Sequence, residues 1–267
     1  MTAPFGLSAE PLSLKALDAA FEQFHDAAPF PHCVIDDFIS PSWLSMLEAE
    51  FLPFGSPEWY VYKNQIEDKK ALNRWDAFPH ATYKFFSYMN SEDFTGRISK
   101  LAGIPLHADQ GLSGGGWHIH GQGGNLNPHL DYSVHPKLGL QRKLNIIMYI
   151  SRELHEEHGG HLGLWEWDKE NSQLGKLAKV VQPKFNRAVI FDTTKDSWHG
   201  MCRPLTQPEG VYRKSLAVYY LCVPPVDVDP RGKALFAPRE EQLGDKEIEE
   251  LIRRRANGES FAEVYRQ

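Results

Sequence analysis

The sequence predicts a mainly β protein of the α+β type, in which a barrel-like β core carries helices at both ends. Between residues 112 and 223, short apolar runs alternate with glycine, proline and asparagine turns, which is the pattern of an all-β core. Segments with helical spacing precede this region, and a polar segment rich in Glu and Arg follows it. Short strands of this kind favour a jelly-roll barrel.

The flanking elements are predicted from apolar spacing and from capping residues. Ser40 and Ser91 are suitable N-caps, Pro41 suits a first helical position, and Gly103 suits a helix end. The predicted helices cover residues 14–25, 40–50, 91–102 and 244–255, with a strand at 29–38 and an edge strand or pocket-covering loop at 59–65. We therefore divide the chain into an N-terminal helical segment (1–28), a β domain (29–223) and a C-terminal extension with a solvated polar helix (224–267).

Composition excludes several functional classes. The formal net charge of −6 and the lack of a basic block argue against a nucleic-acid partner. No apolar run approaches the length of a membrane span, and no signal-peptide pattern is visible at residue 1. The three cysteines, Cys33, Cys202 and Cys222, are odd in number and widely spaced, so we expect reduced thiols and a cytoplasmic location. The oligomeric state is left open.

A metal site is predicted from a His-x-Asp pair. Alternate residues of a strand point to the same face, so His129 and Asp131 can converge on one point. With twelve histidines in the chain, such a pair alone is weak evidence. His199 supplies a third candidate ligand, and two imidazoles with one carboxylate leave coordination positions open, as in non-haem Fe(II) oxygenases.

A carboxylate receptor is predicted beyond the third candidate ligand. Arg213 and Ser215 begin an apolar strand and share one of its faces. A guanidinium beside a hydroxyl is a good receptor for a carboxylate, because arginine offers a planar fork of donors.

The order His-x-Asp, His, Arg-x-Ser resembles the Fe(II)- and 2-oxoglutarate-dependent oxygenases, in the prolyl-4-hydroxylase-like branch. The resemblance covers roughly residues 29–223 and includes the blocks 129–132, 142–150, 159–165, 183–191, 196–200 and 213–220. It implies a double-stranded β-helix of the jelly-roll type that uses Fe(II), 2-oxoglutarate and O₂. The implied metal ligands are His129, Asp131 and His199, and the implied cosubstrate-binding residues are Arg213, Ser215, Tyr149 and Asn145.

Other polar residues have two interpretations each. His118 and His120 share a strand face and either line the substrate pocket or are satisfied structural histidines. The histidine cluster at 155–161 lacks the spacing of a helical zinc motif, and two glycines interrupt it, so a polar hairpin loop is favoured. Trp165 and Trp167 are interpreted as aromatics of the core or of the barrel mouth.

The predicted function is hydroxylation of an unactivated C–H bond, with decarboxylation of 2-oxoglutarate to succinate. We expect a small-molecule or carbohydrate-like substrate. The alternatives are a prolyl or peptidyl hydroxylase, a non-hydroxylating radical variant such as a halogenase, and a non-catalytic sensor on the same scaffold. Asp131 disfavours the halogenase, because halide binding usually requires a small residue in place of the ligating carboxylate.

Overall fold

A computed structural model describes residues 10–194 and 196–257 of the chain. In these residues it contains five α-helices and fourteen strands, all paired antiparallel, so the predicted mainly β class is confirmed. The helices are α1 (Leu14–Phe21), α2 (Pro41–Glu50), α3 (His80–Met89), α4 (Glu92–Ala102) and α5 (Lys246–Ala256).

The strands form two sheets. In chain order they are β1 (His32–Ile35), β2 (Tyr60–Lys63), β3 (Glu67–Leu72), β4 (His107–Ala108), β5 (Gly116–His120), β6 (Asn125–Leu126), β7 (His129–Leu130), β8 (Gln141–Tyr149), β9 (Leu162–Asp168), β10 (Gln173–Val181), β11 (Arg187–Asp192), β12 (His199–Met201), β13 (Arg213–Cys222) and β14 (Leu235–Phe236). The nine-stranded major sheet has the order β1-β11-β8-β13-β5-β3-β2, with β4 paired to β13 and β6 to β3. The minor sheet has the order β10-β9-β12-β7-β14.

The two faces of the major sheet have different partners. On β8, Leu144 and Ile146 point into the large core that the N-terminal helices α1 to α4 form with this sheet. The alternate residues Asn145 and Ile147 point to the opposite face and line a pocket. A second apolar cluster on that face joins β8 and β11 to the minor sheet and includes Tyr149. The period of two along a strand thus assigns one set of residues to packing and the other to a cavity between the sheets.

Several predicted boundaries were too long, and helix α3 and strand β3 are among the elements that were not predicted. The helix expected at 14–25 ends at Phe21, and the strand expected at 29–38 is confined to His32–Ile35. Residues 59–65 contain the edge strand β2, which pairs with β3. Helix α3 lacks a Ser, Thr, Asp or Asn cap, since Pro79 precedes it. Strand β3 reads Glu-Asp-Lys-Lys-Ala-Leu, which is too charged to resemble a strand.

The C-terminal segment was predicted to be an extended connector followed by a solvated helix. This prediction was wrong in part, because the connector contains a strand and one side of the helix is packed against the protein. Strand β14 pairs with β7, beside the candidate metal site. Ile248 of α5 is buried in a cluster with Ile66 and Phe236. The parts of the predicted terminal segments at 1–9 and 258–267 lie outside the described residues.

No helix within residues 10–194 and 196–257 is long and apolar enough to cross a membrane. The predicted cytoplasmic location stays a prediction. The cysteines Cys33, Cys202 and Cys222 are all free thiols, and none forms a disulfide.

Candidate active site

His129, Asp131 and His199 lie together on the minor sheet. His129 and His199 are register partners across β7 and β12, and Asp131 follows β7 directly. The three residues are buried, and their potential ligand atoms all lie within 4.8 Å of one another. The Nε2 atoms of His129 and His199 lie 3.8 and 3.9 Å from the Asp131 carboxylate oxygens. In the part of the chain that the structure describes, this is the only such group of three metal-binding side chains.

Backbone carbonyls fix the orientation of both imidazoles. His129 donates from Nδ1 to the Asn127 carbonyl at 2.9 Å, and His199 donates from Nδ1 to the Ser197 carbonyl at 2.8 Å. Since a carbonyl can only accept, each Nδ1 carries the proton and each Nε2 offers its lone pair towards Asp131. Oδ2 of Asp131 is buried and has no hydrogen-bond partner. An orphaned carboxylate oxygen beside two oriented lone pairs fits a divalent cation.

Arg142 supplies the counter-charge of Asp131. Its Nη1 lies 3.4 Å from Asp131 Oδ1, and its guanidinium lies between the rings of Tyr132 and Tyr219, 3.5 and 3.6 Å from their centroids. Burial raises the pKa of Asp131, but the charges of Arg142, His199 and His129 outweigh burial and lower this pKa to about 2. Burial, together with His199, lowers the pKa of His129 to about 3. At neutral pH the site therefore contains a carboxylate and neutral imidazoles, which are the forms that ligate metals.

Replacing Arg142 with methionine is expected to reduce the free energy of unfolding of the metal-free protein by about 3–5 kcal/mol, because a buried carboxylate loses its counter-charge. Urea unfolding of the metal-free variant measures this loss. Adding Asp131→Asn to the same variant should restore a large part of it. As a control, Arg74→Met removes a surface ion pair with Glu58 and should cost at most about 1 kcal/mol. Equal losses in both variants would show that Arg142 does not compensate a buried charge.

Arg213 lies at the start of β13 and is almost completely buried. Its Nε donates to the Gly160 carbonyl at 2.9 Å, and its Nη2 donates to the Tyr149 hydroxyl at 3.3 Å. Gly160 has φ +72°, and a Cβ there would lie 2.9 Å from Arg213 Cδ. The glycine turn before β9 is therefore required for close approach to this guanidinium. Within the described residues, Arg213 forms no ion pair with a carboxylate, so its charge is available to a ligand.

The predicted site residues converge on a cavity of about 380 Å³, which is large enough for a small cosubstrate and part of a substrate. On β13 the lining residues alternate and include Arg213 and Ser215, and β8 contributes Asn145. Asn145 Oδ1 is buried without a hydrogen-bond partner. Tyr149 is fully buried and is connected to the cavity through its bond to Arg213.

His118 and His120 both line the same cavity, and their predicted role in substrate binding stays a prediction. Their strand partners on β13 are Ser215 and Arg213. Burial lowers the pKa of His118 to about 3 and that of His120 well below its usual value, so both imidazoles are neutral. Both ring nitrogens of His120 are buried without a partner. A neutral imidazole with an unused donor and an unused acceptor, as at His120, can bind a polar ligand group.

Sequence reasoning missed four charged residues that line the cavity. Glu67, Lys69, Lys233 and Arg255 all line it. Burial raises the pKa of Glu67, but Lys69 and Arg255 outweigh burial and lower it. No motif marked these residues, because they lie in a charged strand, in the segment before β14 and in a helix that resembles a solvated one.

The other motifs behave as structural elements. Glu156–His158 forms a short 3₁₀ turn in a polar loop, and the exposed His155 precedes it. The loop is not the predicted hairpin, because it joins β8 of the major sheet to β9 of the minor sheet, and these two strands do not pair. Trp165 packs with Leu130 and Trp198 in a cluster that also contains Trp167. Neither Trp165 nor Trp167 lines the cavity.

Comparison with known proteins gives the class of this fold and site. Residues 115–221 match the model of the 2OG-Fe(II) oxygenase superfamily. The prolyl 3-hydroxylase OGFOD1 of Xenopus laevis is 28% identical over 228 residues, which are 82% of this chain and 41% of that relative. This chain thus spans about two fifths of the length of that curated relative.

Two solved structures share the fold. A Pseudomonas putida prolyl-4-hydroxylase superposes with a TM-score of 0.53 at 17% identity, covering 78% of this chain and 100% of that one. The non-haem α-ketoglutarate-dependent epimerase SnoN from nogalamycin biosynthesis superposes with a TM-score of 0.52 at 10% identity, covering 85% and 98%. At these identities the likeness concerns the fold alone.

The chain carries a 2OG-Fe(II) oxygenase domain with a mainly β fold. It is homologous to prolyl hydroxylases, and the matched domain is of the class that uses Fe(II), 2-oxoglutarate and O₂.

Proposed function

We propose that this chain is a prolyl hydroxylase that acts on a peptide or protein substrate. The similarity to a prolyl 3-hydroxylase, which extends over 82% of the chain, carries this proposal. It favours a prolyl or peptidyl hydroxylase, which the sequence analysis gave as an alternative. The small-molecule or carbohydrate-like substrate stays a prediction. The open cavity between the sheets is compatible with a side chain presented on a longer segment.

In this proposal His129 and His199 hold Fe(II) through Nε2, and Asp131 holds it through its carboxylate. The bound iron, with 2-oxoglutarate, supplies the activation of O₂. Over the whole reaction a substrate C–H bond is replaced by C–OH with one oxygen atom of O₂. The other oxygen atom enters succinate as 2-oxoglutarate is oxidised and loses CO₂. Arg142 keeps Asp131 ionised, and the two backbone carbonyls keep both Nε2 atoms available for the metal.

Arg213 is the proposed receptor of the distal carboxylate of 2-oxoglutarate. Two of its donors are used by Gly160 and Tyr149, which fixes the guanidinium and leaves its remaining N–H groups for a ligand. Ser215 and Asn145 lie on the same cavity wall and supply a hydroxyl and an amide. These roles also explain why a fully buried guanidinium has no carboxylate beside it within the described residues.

Labelled oxygen and proline-containing peptides test the proposal. With Fe(II), 2-oxoglutarate and ¹⁸O₂, we expect a peptide product 18 mass units heavier, with label also in succinate. The native chain should give no chlorinated product in the presence of chloride, since Asp131 is retained. If a small molecule is hydroxylated with coupled succinate release and no peptide is modified, the substrate is a small molecule, as first predicted from the sequence. The absence of any 2-oxoglutarate turnover would favour the non-catalytic sensor.

A further inference from the structure

Asp131 is the one proposed metal ligand whose backbone lies outside the paired strands. His129 and His199 are register partners in the minor sheet, whereas β7 ends at Leu130. The sheet therefore fixes the backbone of both histidines but not that of Asp131, although the Asp131 carboxylate has to face the same point as the two imidazoles. Asp131 is buried, so its main-chain carbonyl also needs a hydrogen-bond donor.

Arg231, in the segment before β14, supplies that donor. Its Nη2 donates to the Asp131 carbonyl at 2.8 Å, and its Nε donates to the same carbonyl at 3.2 Å. The carbonyl of Arg231 in turn accepts from the amides of Ser133 and Val134, at 2.7 and 3.3 Å. The side chain and the main chain of one arginine thus hold the stretch from Asp131 to Val134 at both of its ends.

Asp229 fixes the Arg231 side chain in this position. One Asp229 carboxylate oxygen accepts from the Arg231 backbone amide at 2.9 Å, and the other forms an ion pair with Nη1 of Arg231. The Arg231 side chain is only 17% exposed. All three guanidinium nitrogens therefore have a partner, one at Asp229 and two at the Asp131 carbonyl. A lysine would offer a single nitrogen in place of this planar fork.

The same C-terminal segment also holds the residue that orients His129. The Asn127 carbonyl accepts from Nδ1 of His129, and the Asn127 side chain donates to the Ala237 carbonyl at 3.1 Å and to the Gln242 side chain at 2.6 Å. The Ala237 amide donates to the Pro128 carbonyl at 2.8 Å. Two of the three proposed metal ligands are thus supported by residues that follow β13.

We propose that Arg231 is a positioning residue of the metal site, which holds the main chain of Asp131 so that its carboxylate faces the two imidazoles. The inference rests on the metal site of the proposed function and is independent of the substrate. Arg142 has a different role, since it lies 3.4 Å from the carboxylate itself and compensates its charge. Arg231 instead donates to the main-chain carbonyl. Partners that orient a ligand without touching the metal contribute about 10–100-fold to metal affinity.

Mn(II) binding to the metal-free full chain tests this role without turnover. Arg231→Met should raise the Kd for Mn(II) about tenfold or more, measured by EPR of the free ion. Arg231→Lys should restore only part of the affinity, because it keeps the charge but not the fork. Native Mn(II) affinity in Arg231→Met, even with a lower melting temperature, would overturn the inference. Full native affinity in Arg231→Lys would show that charge matters rather than the two-bond contact, and would also overturn it.

A second variant and a control assign the effect. Asp229→Ala should raise the Kd for Mn(II) less than Arg231→Met does, and it should add nothing in the Arg231→Met background, because Asp229 acts through Arg231. Additive effects would contradict this order. Arg97→Met removes a two-bond ion pair with Asp18 between α4 and α1, and it should lower only the melting temperature. A raised Kd in this control would show that metal affinity merely follows stability, and the role of Arg231 would fail.

These measurements separate the inference from the proposed function, because none of them needs a substrate. If Arg231→Met loses Mn(II) affinity and no proline peptide is hydroxylated by the native chain, the role of Arg231 stands and the prolyl hydroxylase proposal fails. If the native chain hydroxylates peptides and Arg231→Met keeps its Mn(II) affinity, the inference alone fails. If the native chain binds no metal, both are wrong.

Discussion

Replacing His199 with alanine is expected to abolish iron-dependent turnover. Without oxygen, Fe(II) and 2-oxoglutarate should give the native protein a weak visible charge-transfer band, and this band should be absent from His199→Ala. The site has only two oriented imidazoles, and Nε2 of His199 lies 3.9 Å from the carboxylate that would share the metal. Changes outside the ligand shell already cost about 10–100-fold in metal affinity, so losing a ligand should cost more.

The control for this experiment is His158→Ala. His158 lies in the polar turn before β9, and its Nδ1 accepts only from the His155 backbone amide. Iron affinity and the charge-transfer band should be the same as in the native protein. An unchanged band in His199→Ala, with native melting temperature, would remove His199 from the proposed ligands.

The grouping of His129, Asp131 and His199 was predictable from strand geometry and from the order of the motifs. Alternation along a strand brings His129 and Asp131 to one side, and the motif order supplied His199. The structure adds what the sequence does not show, namely the backbone carbonyls that orient both rings and the role of Arg142. Arg142 belongs to the apolar stretch that became β8, where nothing marked it as the partner of Asp131.

The missed part of the cavity has a common physical cause. Strand β3 carries four charged residues in a row, and Glu67 and Lys69 face the cavity, where Glu67 pairs with Lys69 and with Arg255 of α5. Helix α5 is highly charged, and its contacts with Ile66, Phe236 and Glu67 distinguish it from a solvated helix. Local sequence reports propensity and amphipathic spacing, whereas these residues are positioned by partners far away in the chain.

The fold was easier to predict than the substrate. The mainly β class follows from short apolar strands, and the two faces of the major sheet follow from the alternation of residues along β8 and β13. The same fold is shared by a prolyl-4-hydroxylase and by an epimerase, so it does not decide the reaction. Specificity must come from the side chains that line the cavity.

Replacing Arg213 with lysine should weaken 2-oxoglutarate binding although the positive charge is kept. In the native chain, Gly160 and Tyr149 hold the guanidinium, and its remaining donors face the cavity. One ammonium cannot reproduce these bonds and also make a two-bond contact to a carboxylate. Each charge-assisted hydrogen bond contributes about 1.5–3 kcal/mol, so the affinity should fall roughly ten- to a hundredfold.

The neighbouring residues make this test specific. Ser215→Ala should cost less than Arg213→Lys, because a hydroxyl contributes a single neutral donor. Lys214 does not line the cavity and lies over the Phe51 ring on the other face of β13, so Lys214→Ala should bind 2-oxoglutarate like the native chain. Titration with 2-oxoglutarate is combined with melting temperatures for all three variants. If Arg213→Lys only lowers the melting temperature and binds the cosubstrate with native affinity, Arg213 is a structural arginine and the carboxylate receptor must lie elsewhere on the cavity wall.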